Sequence, residues 1–188
     1  MLRTFFAIEI GDEARRAAAA LLERLRDDPG CDGVRWTRPE AFHVTLRFLG
    51  PTPEERVPAL VEAVRRETAG IAPFALALGA LGAFPDEGRP RVLFARVEPH
   101  EPLAALAAAV ERGVVAAGFP PEERTFNGHL TLGRVRERRR RVRLPRGARC
   151  AAATFPVASF VLMRSDPSPQ GSVYTPLARI ALGGGAAT

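Results

Sequence analysis

The sequence predicts a fold of mixed helices and strands arranged as two related lobes. Three observations predict it: strand and helix patterns alternate along the chain, their order begins again near the middle, and the phrase His-x-Thr-Leu occurs at matching places in both halves. With 188 residues, 46% of them hydrophobic, the chain has enough apolar material for a sizeable core.

The elements follow in order. Thr4–Ile10 alternates Phe6, Ile8 and Ile10 against Phe5, Ala7 and Glu9, which suits a strand. Asp12 then reads as the cap of an Ala-, Leu- and Arg-rich helix that runs to about Arg26 and ends at Asp27-Asp28-Pro29-Gly30. Val34–Trp36 is a short strand, Arg38-Pro39-Glu40 a turn, and Phe42–Leu49 a longer strand that Gly50-Pro51 should stop. Thr52-Pro53-Glu54-Glu55 opens a second helix, with Val57, Leu60, Val61 and Val64 at helical spacing up to about Thr68. The order then restarts, with strands at Phe74–Phe84 and Arg91–Val97, a helix from about Glu101 to Ala117, and a strand at His129–Val135. Phe6-Ala7-Ile8-Glu9 and the segment starting at Phe94 each precede a helix and lie at near-equal distances before a His-x-Thr-Leu strand. Thr154–Met163 and Ser172–Leu182 read as closing strands around the loop 166–171, and Gly183–Thr188 as a frayed tail.

Composition narrows the function classes. The net charge is +6 and all 27 basic residues are arginine, which favours anionic partners. Nine of those arginines crowd the segment from Arg134 to Arg149, either as a solvated basic loop or as a surface for an RNA backbone. No apolar stretch reaches the roughly 20 residues that span a bilayer, and the opening residues lack the pattern of a secretion signal, so the expectation is a cytoplasmic protein without membrane contact. Cys31 and Cys150 have neither CxxC spacing nor the density of a disulfide scaffold and read as unpaired thiols. No heptad or long apolar face argues for an oligomer, and a monomer is expected.

The chemistry rests on the repeated phrase. Two of the three histidines stand in His43-Val44-Thr45-Leu46 and His129-Leu130-Thr131-Leu132. On a strand, residues two apart share a face, so His43 with Thr45 and His129 with Thr131 point one way while Val44, Leu46, Leu130 and Leu132 enter the apolar side. If the lobes face each other about a pseudo-twofold axis, two imidazoles and two hydroxyls converge on an anion-sized space. That set suits phosphodiester chemistry, where attack and departure lie in line and need opposed proton-transfer groups. Imidazole, with an unperturbed pKa of about 6.5, serves as either partner at neutral pH, and the hydroxyls can bind non-bridging oxygens as charge grows. A zinc site fits poorly, because two histidines lack a third ligand at suitable spacing. The remaining histidine, His100, follows Pro99 and reads as an exposed capping or loop residue.

These motifs resemble the two-histidine phosphoesterase superfamily and, within it, the RNA 2′,3′-cyclic phosphodiesterases, also called 2′-5′ RNA ligases. The likeness covers nearly the whole chain: Arg3–Ile8, Val34–Glu40 leading into Phe42–Gly50, Phe126–Arg134, Ser165, and Gln170–Tyr174. Gly128 and Gly133 depart from it, standing where proline and alanine are usual. The resemblance implies a bilobal α+β fold with antiparallel sheets lining a central cleft and helices outside. It implies hydrolysis, without cofactor or metal, of RNA ends bearing a 2′,3′-cyclic phosphate to a 2′-phosphate, with reversible 2′-5′ ligation as a second reaction. The RNA, whether tRNA fragments, mRNA fragments or short oligonucleotides, is left open. By the same resemblance His43 is the proton donor and His129 the proton acceptor, Arg134 contacts phosphate, and Phe42, Phe48 or Trp36 could stack on a base, although most of these rings are expected in the core. Two rival readings stand beside it: a nucleotide or RNA-end binding module without catalysis, and a phosphodiesterase for a small cyclic nucleotide such as a cyclic ADP-ribose phosphate.

Overall fold

A computed structural model describes residues 1–136, 142–169 and 171–183. The elements run β1 (Leu2–Glu9), α1 (Asp12–Arg26), β2 (Val34–Trp36), β3 (His43–Thr52), α2 (Val57–Thr68), β4 (Phe74–Phe84), β5 (Val92–Glu98), α3 (His100–Ala116), β6 (His129–Val135), β7 (Thr154–Val157), β8 (Ser159–Asp166) and β9 (Val173–Ala181). All strands join one antiparallel sheet in the order β7-β4-β5-β6-β3-β1-β8-β9, with β2 paired to β6. The architecture is α+β, and its order is symmetric about the central pair: β3-β1-β8-β9 fans out on one side and β6-β5-β4-β7 on the other.

Each face of the sheet has its own apolar layer. Toward the helices lies the main core, which includes Phe6, Ile8, Val44, Leu46, Leu130, Leu132 and Phe160. α1 contributes Ala14, Ala18, Leu21, Leu22 and Leu25, three or four residues apart and therefore on one stripe. On the other face Phe5, Ala7, Val161 and Met163 form a small second cluster with Tyr174 packed on it. β1 is thus buried on both faces from Thr4 to Ile8 instead of on one. A strand in the middle of a covered sheet is apolar on both sides, so alternation fades there.

Several expected boundaries shift. Asp12 lies inside the first turn of α1, where its charge suits the helix dipole, and Gly11 is the cap residue. His100 is exposed as expected, but it is the first helical residue of α3, and Pro99 holds the cap position. β3 does not stop at Gly50-Pro51: Thr4 pairs with Gly50, Arg3 with Pro51 and Leu2 with Thr52. Among the described residues β3 pairs there only with β1, so its other edge shows no ladder for Pro51 to break, and Gly50 takes φ +73° at the bulge. The stretch Thr154–Met163 is two strands. β7 pairs with β4 at one end of the sheet, while β8 pairs with β1 on the other side. β8 and β9 therefore complete the half that contains β1 and β3, so the halves do not divide as N-terminal and C-terminal.

The bulges also correct the internal comparison. Ala7 pairs with Thr45, and Phe94 with Thr131. The counterpart of Phe94 is therefore Ala7, one residue beyond Phe6. In both halves the bulge follows the His-x-Thr triplet, leaving Leu46 and Leu132 as the extra residues.

The two cysteines are buried and unpaired, and burial pushes both thiols up to about 11. Among the described residues no helix is long and apolar enough to cross a membrane. α2 and α3 touch at Gly113, where a Cβ would lie 2.5 Å from Val64 Cα and 2.9 Å from Val64 N. Alanine is a better helix former than glycine by about 1 kcal/mol, but contact with backbone cannot relax by side-chain rotation, and overpacking costs about 1–3 kcal/mol or more. Gly113→Ala should therefore lower the thermal midpoint; a rise in calorimetry would show that the helices separate freely.

Candidate active site

The central pair β3 and β6 meets at Val44 and Leu130. In an antiparallel ladder this register sets His43 beside Thr131 and Thr45 beside His129, all four on the face away from the main core. They line one cavity of about 570 Å³, together with Arg134, Phe48, Arg124, Ser165, Ser172 and Tyr174 among others.

The two imidazoles are held alike. His43 Nδ1 lies 2.8 Å from Ala41 O, and His129 Nδ1 lies 2.7 Å from Asn127 O. A carbonyl can only accept, so each Nδ1 carries the hydrogen and donates it; Nε2 is then the acceptor in the neutral ring and a donor in the charged one. Aromatic rings wedge both. Phe5 and the edge of Tyr174 stand at centroid distances of 5.0 Å from His43, and Phe84 and Phe94 at 5.0 and 5.2 Å from His129. Burial between these rings lowers both imidazoles from their ordinary 6.5 against the opposing pull of the carbonyl bonds, and the positive charge of Arg134 lowers both further.

Of the residues expected at the site, His43, Thr45, His129, Thr131, Arg134 and Phe48 are brought together, with Phe48 52% exposed at the rim. Phe42 is not. It is 3% exposed and belongs to the main core, because a residue adjacent to His43 faces the opposite side of the strand. That removes it as a base-stacking residue. Trp36 is half-buried against the core. Arg138, Arg139, Arg140 and Arg141 lie outside the described residues, while Arg149 sits beside α1, its carbonyl bonded by Arg24, away from the cavity. Among the described residues of the arginine run, Arg134 alone lines the cavity.

The chain matches the family described as LigT like Phosphoesterase over residues 8–94 and 96–174. It belongs to the LigT-like phosphoesterases. It is 35% identical to the RNA 2′,3′-cyclic phosphodiesterase of Thermus thermophilus, covering 97% of this chain and 91% of that protein. The enzyme of that name from Archaeoglobus fulgidus is 31% identical over 94% and 98% of the two chains. Among solved structures, a protein of Thermus thermophilus superposes with a TM-score of 0.78 at 34% identity, covering 97% of this chain and 99% of that one. E. coli LigT complexed with 3′-AMP gives 0.79 at 28% identity over 96% and 98%.

Two features of this LigT-like phosphoesterase escape a reading of motifs. The glycines that depart from the family pattern are filled around: a Cβ on Gly128 would stand 2.3 Å from Leu103 Cδ2, and one on Gly133 would stand 2.6 Å from Val34 Cγ1. Neighbouring side chains occupy the space, so the backbone flanking His129 is packed in place. The second feature is a charged network. Arg47 pairs with Glu111 and Glu122 and donates to Pro120 O at 2.7 Å; Glu111 accepts from Glu122 N at 2.8 Å; Arg124 grips Glu122 at 3.0 and 3.1 Å. That grip holds the Glu122 carboxyl down to about 2. The network ties the segment that carries Asn127 to β3 and α3, and it brings Arg124 to the cavity rim. Nothing in the spacing of Arg47, Glu111 and Glu122 announces it.

Proposed function

We propose that this protein hydrolyses the 2′,3′-cyclic phosphate at the end of an RNA to a 2′-phosphate by general acid–base catalysis, without a metal ion. The observation that carries the reading is the pair of imidazoles, each tied through Nδ1 to a carbonyl and flanked by a threonine, lining one cavity large enough for a nucleotide. The membership and the named activity of the relatives supply the substrate class.

In this mechanism His129 Nε2 takes a proton from water as the new P–O bond forms. The P–O3′ bond breaks and His43 Nε2–H delivers its proton to the departing 3′ oxygen. Thr45 and Thr131 donate to the non-bridging oxygens, and Arg134 adds its positive charge. Water returns the enzyme to its starting protonation by exchange. When the 5′-hydroxyl of a second RNA takes the place of the attacking water, it gives its proton to His129 as the P–O5′ bond forms, the P–O3′ bond breaks with a proton from His43, and a 2′-5′ linkage results. Among the described residues no three His, Cys, Asp or Glu side chains gather where they could hold a metal ion.

The test is to incubate the protein, with EDTA, with a short RNA ending in a 2′,3′-cyclic phosphate and to identify the product. A 2′-phosphate is expected. A 3′-phosphate would overturn the assigned regiochemistry, and no product at any pH would favour a binding module.

The pH profile is a separate prediction. The working state has one imidazole protonated and one neutral, and both are lowered from 6.5. The bell in kcat/KM should therefore centre on the acid side of about 6.5. Arg134→Gln removes a charge that lowers both rings, so its bell should move toward neutral pH while KM rises. An unmoved or acid-shifted bell in that variant would contradict the assignment.

A further inference from the structure

The antiparallel register of β2 against β6 puts Arg35 directly opposite Arg134. Like charges in that position destabilise a sheet, and among the described residues neither of them, nor nearby Arg38, has a carboxylate partner. All three are exposed. They line a small cavity of about 190 Å³ that shares Thr37, Ala41, Arg134, Ser172 and Tyr174 with the reaction cavity. The loop after β8 closes its far wall: a Cβ on Gly171 would stand 3.6 Å from a guanidinium nitrogen of Arg35. Three unneutralised guanidinium groups with hydroxyls at the wall make an anion site, since the Arg fork matches phosphate geometry. The space falls below the roughly 300–1,000 Å³ of pockets that enclose a whole small molecule, yet holds several waters' worth of volume at about 30 Å³ each. A phosphate group fits it and a nucleoside does not.

We infer that this annex binds the internucleotide phosphate preceding the terminal nucleoside, so that the preferred substrate is an oligonucleotide and not a cyclic mononucleotide. The inference rests on the hydrolase reading above. A cyclic phosphate terminates the 3′ end, so the strand continues only in the 5′ direction. The next phosphate of an RNA substrate is therefore the one on the 5′ oxygen of that terminal nucleoside, and the annex adjoins the reaction cavity. Arg35 and Arg38 are positioned to select substrate length, while the reacting atoms stay with the two histidines.

The experiment compares kcat/KM for adenosine 2′,3′-cyclic phosphate, the same nucleotide carrying a 5′-phosphate, and a diadenosine dinucleotide ending in the cyclic phosphate. The unaltered protein should favour both substrates with a second phosphate over the first by roughly 10- to 100-fold, the worth of a charge-assisted contact. In the Arg35→Gln, Arg38→Gln double variant that preference should collapse toward one, mainly through KM. The slope of log kcat/KM against log salt for the dinucleotide should flatten by about 0.7 for each phosphate that is no longer neutralised. Equal use of all three substrates by the unaltered protein overturns the inference and leaves the hydrolase reading standing. So does a double variant that is slowed by the same factor on every substrate, or one that keeps the full preference. No hydrolysis of any of the three by the unaltered protein overturns the hydrolase reading and this inference with it.

Discussion

His129→Ala should lower the rate of cyclic phosphate hydrolysis by about 10²–10⁴-fold, and His43→Ala by a comparable factor, because each removes one of two proton transfers. The assigned roles separate when the leaving group changes. With sulfur in place of the bridging 3′ oxygen, the departing thiolate needs no proton, so His43→Ala should recover most of its rate. His129→Ala should stay impaired, since water still has to be deprotonated. Recovery in the His129 variant instead would exchange the roles of the two histidines, and full activity in either variant on the natural substrate would remove that residue from the mechanism. Both rings are wedged between aromatic side chains. Thermal unfolding of each variant should therefore accompany the kinetics, to separate missing chemistry from a slackened wall.

Thr131→Val, which keeps the shape and removes the hydroxyl, should lower kcat on the order of 10²-fold with little change in KM, and Thr45→Val should do the same. The physical ground is where the negative charge grows. A hydroxyl beside a non-bridging oxygen gains strength as phosphorus becomes five-coordinate, so its removal is felt in the transition state more than in binding. Among the described residues neither hydroxyl is hydrogen-bonded to another protein group, which leaves both for the substrate. Single-turnover rates at saturating substrate are the measurement. A raised KM at unchanged kcat would reduce the threonines to ground-state phosphate holders.

What the sequence disclosed follows from the range of each signal. The His-x-Thr phrase is legible because a strand's period of two assigns faces from neighbours alone. The same rule places Phe42 on the apolar side with Val44 and Leu46, and its burial at 3% exposure follows from it. Longer-range facts are harder to read. Nothing local in residues 154–163 says that β7 and β8 pair with strands far apart in the sheet, because pairing is decided by tertiary neighbours. The passage of β3 through Gly50-Pro51 depends on β3 having an unpaired edge there. Arg124 reaches the cavity through a network of Arg47, Glu111 and Glu122 that joins three separate segments, and no spacing within one segment signals such a junction.

The late strands of the sheet bear on how the protein is made. During synthesis β1 and β3 leave the ribosome early, but the strand that covers the far edge of β1 spans residues 159–166, and Tyr174, which packs on His43, comes later still. The half built around β6 needs β2, β4, β5 and the nearby β7, all made before β8. An open edge on β1, apolar on both faces, is a template for wrong pairing, so the nascent chain is at its most vulnerable until nearly the last strand arrives. A ribosome that stalls before residue 159 leaves His43 with Phe5 but without the Tyr174 side of its aromatic wall, and the chain with a sticky border.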